Sequence, residues 1–271
     1  MILSYLSHIE FKDRKILYIM SDSLYHQFTN YIHTNISNGT IQDFKSDPSV
    51  TYMLEHVSEH LGQQYYKYIN KYTSLTTEQI TSYCKKNDTY GGGKKYNFGW
   101  IVTSPSNFRY LLQSHLILTH MKRQGLKDVC VVEIGCGYGG LYLALTDLAP
   151  LYDIDLIEYN LIDLPDVSSL QQWYLSNVTC LTKTFFHSAY TYGCNILSSN
   201  LFLISNYSFS EIDMEHQARY IQHLFPKVSH GFIIWNNISL YDFGFKVTIE
   251  DEYPLTSNNQ NPLLNNKYVY F

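Results

Sequence analysis

A chain of 271 residues can form one large domain, or a core domain with a smaller appendage. Its 45% apolar and 16% charged residues predict a globular core, and its net charge of -5 offers no concentrated basic face of the kind nucleic acid requires. The five cysteines (Cys84, Cys130, Cys136, Cys180 and Cys194) show no Cys-x-x-Cys or Cys/His metal spacing, which points to a reduced, cytoplasmic setting. No window approaches 18 consecutive apolar residues and the early charges make a poor signal peptide, so no membrane span is expected. The oligomeric state is not readable.

Residues 1 to about 90 read as mainly helical. Asp47-Pro48-Ser49 is a helix start with proline at an early position. The stretch Val50–Tyr72 then carries a helical stripe through Tyr52, Met53, His56, Val57, His60, Leu61, Tyr65, Tyr68 and Ile69. Thr76-Thr77-Glu78-Gln79 predicts a capped short helix. Lys85 to Trp100, with Gly91, Gly92 and Gly93 in succession, reads as a loop. These signals predict a helical N-terminal cap and linker over residues 1–100 and a core over residues 101–271.

From Ser104-Pro105-Ser106 a helix is expected to about Gln124. The pattern then alternates: strand Val129–Ile134, helix Leu141–Leu148, strand Asp155–Leu164, helix Asp166–Tyr174 and a weak element at Leu181–Phe186. Strand Leu201–Asn206, helix Glu211–Phe225 and strand Gly231–Trp235 follow. Alternation of this kind predicts a mostly parallel, doubly wound Rossmann-like sheet. Two late strands, Phe245–Glu250 and Lys267–Phe271, predict an antiparallel hairpin at the C-terminal edge.

The densest chemical signal is Val131-Val132-Glu133-Ile134-Gly135-Cys136-Gly137-Tyr138-Gly139-Gly140. An apolar strand runs into an acid and then glycines, as a buried strand does when it turns sharply into a helix and leaves backbone amides open to a ligand. Gly135, Gly137 and Gly139 define the turn. Asp163 ends the second strand, near the offset at which an acid accepts both ribose hydroxyls of a nucleotide cofactor. These features suit NAD and S-adenosylmethionine alike. The acid before the glycines favours the latter, whose ammonium would sit beside Glu133.

The form Glu-x-Gly-x-Gly resembles the first motif of class I S-adenosylmethionine methyltransferases. Four segments occur in order: Ser104-Pro105-Ser106-Asn107-Phe108-Arg109-Tyr110, Glu133–Gly140, Leu161-Ile162-Asp163-Leu164-Pro165-Asp166 and Ser205-Asn206-Tyr207-Ser208-Phe209-Ser210-Glu211. With a late acidic stretch, Glu250–Thr256, they resemble the sugar O-methyltransferase family found in polysaccharide and glycan gene sets. The likeness spans about residues 85–271, with Phe108 where leucine is usual and Asp166 in place of glutamate. The resemblance implies a methyl donor bound by the glycine turn, Asp163 and Leu164, and a sugar hydroxyl, on a nucleotide sugar or glycan, as acceptor.

Arg109 would clamp the cofactor carboxylate through its planar fork, or else form a salt bridge with Glu133. Asn206 would contact cofactor or acceptor, or cap a loop. Glu211 is the leading general base, with complementing a helix dipole as its structural alternative; His187 and His216 are the other candidate bases. Glu211 with Asp213, or Glu250, Asp251 and Glu252, could supply hard oxygen ligands to a divalent ion, but a required metal is not favoured. The rival readings are a methyltransferase for another small molecule or a protein, a non-catalytic S-adenosylmethionine-binding scaffold, and a nicotinamide oxidoreductase.

Overall fold

The computed structural model describes residues 11–236, 238–254 and 266–271, with backbone alone for residues 11–23. Its centre is a seven-stranded sheet. In chain order the strands are β3 (Asp128–Ile134), β4 (Asp155–Asp163), β5 (Thr184–Ser188), β6 (Leu201–Asn206), β7 (Val228–Trp235), β8 (Thr248–Asp251) and β9 (Lys267–Tyr270). Their spatial order is β5-β4-β3-β6-β7-β9-β8. The five strands from β5 to β7 pair in parallel, and β9 is antiparallel to both of its neighbours. Val131, Val132, Glu133 and Ile134 of β3 are all buried, as expected for a central parallel strand covered on both faces. This is a Rossmann-like, mostly parallel doubly wound sheet. The predicted antiparallel hairpin is present at the edge: β9 lies between β7 and β8, so the exposed strand β8 is outermost. Burial explains the order, since Tyr268 and Val269 of β9 are fully buried.

Helices α5 (Ser106–Arg123), α6 (Gly140–Leu148) and α7 (Pro165–Val178) follow the predicted pattern. The N-terminal segment contributes α1 (Phe11–Asn38), a 3-10 turn (Ile41–Ser46), α2 (Pro48–Leu54), α3 (Glu59–Tyr72) and α4 (Thr77–Asn87). These helices share a core with the sheet: one apolar cluster runs from Phe28 and Ile32 through Tyr65 and Leu143 to Phe232 and Tyr268. Asp166 receives a 3.0 Å contact from His33 of α1, which holds that helix against α7. Among the described residues no helix is long and apolar enough to cross a membrane.

Local capping explains where the helices depart from expectation. The stripe predicted across Val50–Tyr72 is two helices, because Glu55–Ser58 leaves the helical path and Ser58 Oγ caps α3 by accepting from Leu61 N at 3.2 Å. Thr76 and Gln79 form the predicted capping box. The three-glycine loop wraps the side chain of Lys45. Gly91 exchanges backbone bonds with Lys45 and Gln42, each 2.7 Å. Later in that loop β1 (Tyr96–Asn97) forms a small antiparallel ladder with β2 (Val102–Thr103), which lies just beyond it. The helix predicted at Glu211–Phe225 is likewise divided into α8 (Ser208–Glu211) and α9 (Met214–His223), because Asp213 caps α9 by accepting from His216 N at 3.0 Å.

Asp47 caps α2 through bonds from Ser49 N at 2.9 Å and Val50 N at 3.4 Å. Asp47→Ala is expected to lower stability by about 1 kcal/mol, the usual worth of such a cap, read by denaturant unfolding.

Candidate functional site

A cavity of about 1320 Å3 opens at the carboxyl ends of β3, β4 and β6, where the strand order reverses. Its sheet-side floor comes from Ile134, Gly135, Cys136, Gly137, Asp163 and Asn206. The N-terminal helices form the opposite wall through Tyr25, Phe28, Leu54, His56 and Tyr65.

The glycine turn is shaped by close approach. Gly135 has φ +72, and a Cβ there would lie 1.9 Å from Ser208 Oγ. Gly137 has φ +56 and faces Leu54, whose Cδ2 would lie 3.0 Å from an added Cβ. Gly139 precedes α6, packs against Leu175 and is not among the residues lining the cavity. The expectation of open amides needs correction. Gly135 N–H donates to Ile162 O at 2.9 Å, and Gly139 N–H donates to Cys136 O at 3.1 Å. The Cys136 and Gly137 amides both donate to Asp163 Oδ2, at 2.8 and 3.2 Å. Asp163 closes the turn because a half-buried carboxylate at a strand end needs donors, and these amides are the nearest.

Asp163 is at once the cap of the turn and a cavity-lining acid. Gln171 Nε2 adds a third bond to Oδ2 at 3.0 Å, whereas Oδ1 receives only the Leu164 amide at 2.9 Å and keeps acceptor capacity. Burial raises its pKa to about 7 against the lowering effect of these four bonds. Leu164 lines the cavity beside it. Glu133 is buried, and its Oε2 accepts from Tyr159 Oη at 2.6 Å. Burial pushes its pKa up to about 8; the Tyr159 bond opposes this and the charge of Asp163 adds to it. Burial thus favours the protonated form of the Glu133 carboxyl.

Arg109 makes no ion pair among the described residues, so the expected bridge to Glu133 is not formed. Its Nη2 donates to Leu54 O at 2.9 Å, its Nη1 lies 3.3 Å from His56 Nε2, and its Nε has no hydrogen-bond partner among the described residues. Burial favours loss of its proton, but the facing tyrosines Tyr110, Tyr207 and Tyr65, with Glu55, raise its pKa above the usual value. His56 is pushed down to about 4, first by burial and then by the Arg109 charge, so its neutral ring accepts from the guanidinium. Among the described residues Asn206 Oδ1 has no hydrogen-bond partner, and the buried Tyr65 hydroxyl has only Tyr207 beside it. Asn206 Nδ2 donates to Gln113 Oε1 at 3.0 Å, Gln113 Nε2 donates to Tyr207 Oη at 3.1 Å, and Tyr207 donates to Glu252.

Glu211 ends α8 at the cavity wall and accepts from Asn236 Nδ2. Its side chain reaches solvent, yet surrounding protein raises its pKa by desolvation, against the Asn236 bond. Tyr25 of α1 faces this region; burial first, then the charges of Glu211 and Asp163, raise its pKa. His216 lines the cavity with both ring nitrogens engaged: Nδ1 lies 2.8 Å from Tyr192 Oη, and Nε2 lies 3.5 Å from Asp213 Oδ2. His187 does not line the cavity. It sits on β5 with Nε2 2.8 Å from Asn160 Oδ1, because its strand position turns the ring along the sheet toward Asn160.

The site thus gathers Arg109, Glu133, Gly135, Gly137, Asp163, Leu164, Asn206, Glu211 and His216, and leaves Gly139 and His187 outside. Sequence reasoning missed Tyr25, His56, Tyr65 and Gln113 as site residues. The spacing of Arg109 and Gln113, one turn apart on α5, was a readable signal for Gln113. In the late acidic stretch, Glu252 is buried and accepts from Tyr207 and from Asn266, Asp251 pairs with Lys267, and Leu255 and Thr256 lie outside the described residues. Among the described residues no group of three or more His, Cys, Asp or Glu side chains is placed to hold a metal ion.

No protein-family model matches the chain. No curated protein matches it. Solved structures of similar shape include magnesium protoporphyrin IX methyltransferase from Synechocystis PCC 6803 with S-adenosylmethionine bound. It is 13% identical, with 73% of this chain and 98% of that chain covered and a TM-score of 0.43. A second is precorrin 8w decarboxylase from Methanobacterium thermoautotrophicum, at 15% identity, 58% and 88% coverage and a TM-score of 0.40. A third is an amino pentose methyltransferase of calicheamicin biosynthesis from Micromonospora echinaspora with S-adenosylmethionine bound, at 7% identity, 53% and 57% coverage and a TM-score of 0.38. The fold itself is read from the strand order above.

The raised Glu133 pKa has a definite sign for stability. Between its ordinary value and about 8, the unfolded chain ionises this carboxyl while the folded chain keeps it protonated. Stability therefore falls as pH rises through that window and levels off above it; Asp163 acts in the same sense up to about 7. Glu133→Gln is expected to flatten the decline in melting temperature between about pH 5 and pH 8. An unchanged slope would place the titration elsewhere.

Proposed function

We propose that this chain is an S-adenosylmethionine-dependent O-methyltransferase acting on a sugar hydroxyl. The observation that carries the cofactor half is a set of buried polar atoms on the cavity with unused hydrogen-bonding capacity among the described residues: a donor at Arg109 Nε, a hydroxyl at Tyr65 beside Tyr207 and an acceptor at Asn206 Oδ1. That set complements an α-amino acid head, with its carboxylate toward Arg109 and Tyr65 and its ammonium toward Asn206 and Glu133. Asp163 Oδ1 retains capacity for a ribose hydroxyl. A dinucleotide would instead need turn amides for its pyrophosphate, and two of those are taken by Asp163.

S-adenosylmethionine, when bound, supplies an electrophilic methyl group on a sulfonium centre. The residues of the chain hold the two reactants in contact geometry, which is the larger part of the barrier reduction in such a transfer. Glu211 takes the hydroxyl proton on a carboxylate oxygen as the acceptor attacks, and Asn236 orients that carboxylate. Its raised pKa brings it closer to the operating pH of a general base. His216 is a weaker candidate, since both its ring nitrogens are engaged within the protein. His60, Gln64, Lys67 and Tyr68 on one face of α3 continue the cavity wall, with Tyr190 and Tyr192 also lining it. Hydrogen-bonding groups and aromatic faces of this kind suit a polyhydroxylated acceptor, and they support the sugar reading together with the four ordered motifs. In this reading the N-terminal helices cover the cleft and select the acceptor.

Calorimetry should detect S-adenosylmethionine binding to the wild-type chain, whereas preference for NAD would overturn the assignment. Asp163→Ala is expected to weaken donor binding about tenfold or more, through lost charge-assisted bonds. Glu211→Gln should reduce turnover by about 10²-fold or more with donor affinity nearly intact. Turnover that survives this change would move the base elsewhere. A screen of nucleotide sugars, glycans and unrelated small molecules then tests the acceptor class.

A further inference from the structure

Leu54, Glu55 and His56 connect α2 to α3. The sheet contributes nothing to this link, yet it reaches both arms of the donor site. Leu54 O holds Arg109 Nη2 at 2.9 Å, and the Leu54 side chain packs on Gly137 of the turn. His56 Nε2 lies 3.3 Å from Arg109 Nη1. Between them Glu55 points away: Leu54 and His56 line the cavity and Glu55 does not. Its Oε1 accepts from Tyr138 Oη and its Oε2 accepts from Ser104 Oγ, both at 2.7 Å.

Those two partners sit at the roots of the two arms. Tyr138 belongs to the glycine turn, with its fully buried ring behind the cavity floor. Ser104 lies two residues before the start of α5, the helix that carries Arg109. The ring of Tyr138 packs edge-on against Tyr110 of α5 and Tyr174 of α7, and the N-terminal segment reinforces the grip on its hydroxyl. Asn87 Nδ2 donates to its hydroxyl at 3.1 Å, and Lys45 Nζ lies 4.3 Å from its ring centroid while donating to Asn87 O at 2.6 Å. Nearby, Tyr83 Oη donates to Gly140 O at 3.0 Å.

We propose that Glu55 is a positioning residue for the methyl donor: by bridging Tyr138 and Ser104 it fixes the glycine turn relative to the Arg109 guanidinium. It acts without touching the ligand. Turn and guanidinium must face opposite ends of one rigid amino acid head, so a shift of either root misaligns a bond at the other end. The inference deepens the methyltransferase reading and rests on it for the identity of the ligand. The arrangement it describes is a property of the free protein.

The experiment compares Glu55→Ala, Glu55→Gln, Tyr138→Phe and the Glu55→Ala/Tyr138→Phe double variant of the full chain by S-adenosylmethionine calorimetry. Glu55→Ala is expected to raise the donor Kd about tenfold or more. Glu55→Gln, whose amide can bond both hydroxyls, should stay within about threefold of wild type. The double variant should bind no more weakly than Glu55→Ala, since both changes remove one shared bond. Lys86→Ala breaks the 2.6 Å ion pair to Asp147, another tie between the N-terminal helices and α6, and should leave donor affinity unchanged. Equal affinity of Glu55→Ala and wild type would overturn the inference, as would losses in all variants, Lys86→Ala included, that merely follow melting temperature. Amide hydrogen exchange in the absence of ligand provides the second readout. Glu55→Ala should accelerate exchange at residues 135–140 and 104–110, and unchanged exchange there overturns the inference whatever the ligand. A wild-type chain that binds no donor sinks the methyltransferase reading, and exchange still decides the role of Glu55.

Discussion

After Ile134 the chain must leave a buried strand, reverse within a few residues and start α6, all against a neighbouring strand end. Its first amide stays on the ladder, from Gly135 to Ile162 O. The next two would then be left without partners at the mouth of the sheet, and Asp163 takes both. Most of the site follows from that capture. It fixes the tip of β4 to the turn, forces glycine where Ser208 and Leu54 crowd the backbone, and leaves Tyr138 no direction except backward into the N-terminal helices. The acids used here are expensive to bury, and each is kept by donors from another element. Tyr159 serves Glu133, while Gln171 and two turn amides serve Asp163.

Much of the fold was legible because its signals are local. Near-continuous apolar runs at 129–134 and 201–206 can only be central strands, and the segments between them are too long for hairpins. Breaks imposed by tertiary partners were not legible. The stripe from Tyr52 to Ile69 keeps helical spacing across Glu55–Ser58; beside the Ser58 cap of α3, the bonds of this link to Tyr138, Ser104 and Arg109 hold it off the helical path. The break between α8 and α9 was readable in principle, since Asp213 is a strong cap, but the apolar pattern ran through it. The position of β9 inside the sheet depends on which strand edge remains buried, and no local pattern encodes that.

The site divides along the same line. Glu133, Asp163 and the glycines announce themselves because strand, acid and turn are consecutive in the chain. Arg109 was found through its motif, but its surroundings were not: Leu54 and His56 lie more than fifty positions upstream. Tyr65 looked like one more member of a packing stripe, yet its hydroxyl lies buried at the cavity beside Tyr207. His187 shows the opposite error, a chemically capable side chain at a strand end whose hydrogen bond points along the sheet to Asn160.

Burial pushes the carboxyls of Glu133 and Asp163 up to about 8 and about 7, so that both can hold exchangeable protons near neutral pH. A cationic guest favours their ionised forms and so expels some of those protons into the medium. Occupancy of this pocket is then coupled to acid release. The heat measured on filling it should vary with the ionisation enthalpy of the buffer, and the affinity should climb with alkalinity until both carboxyls are already charged.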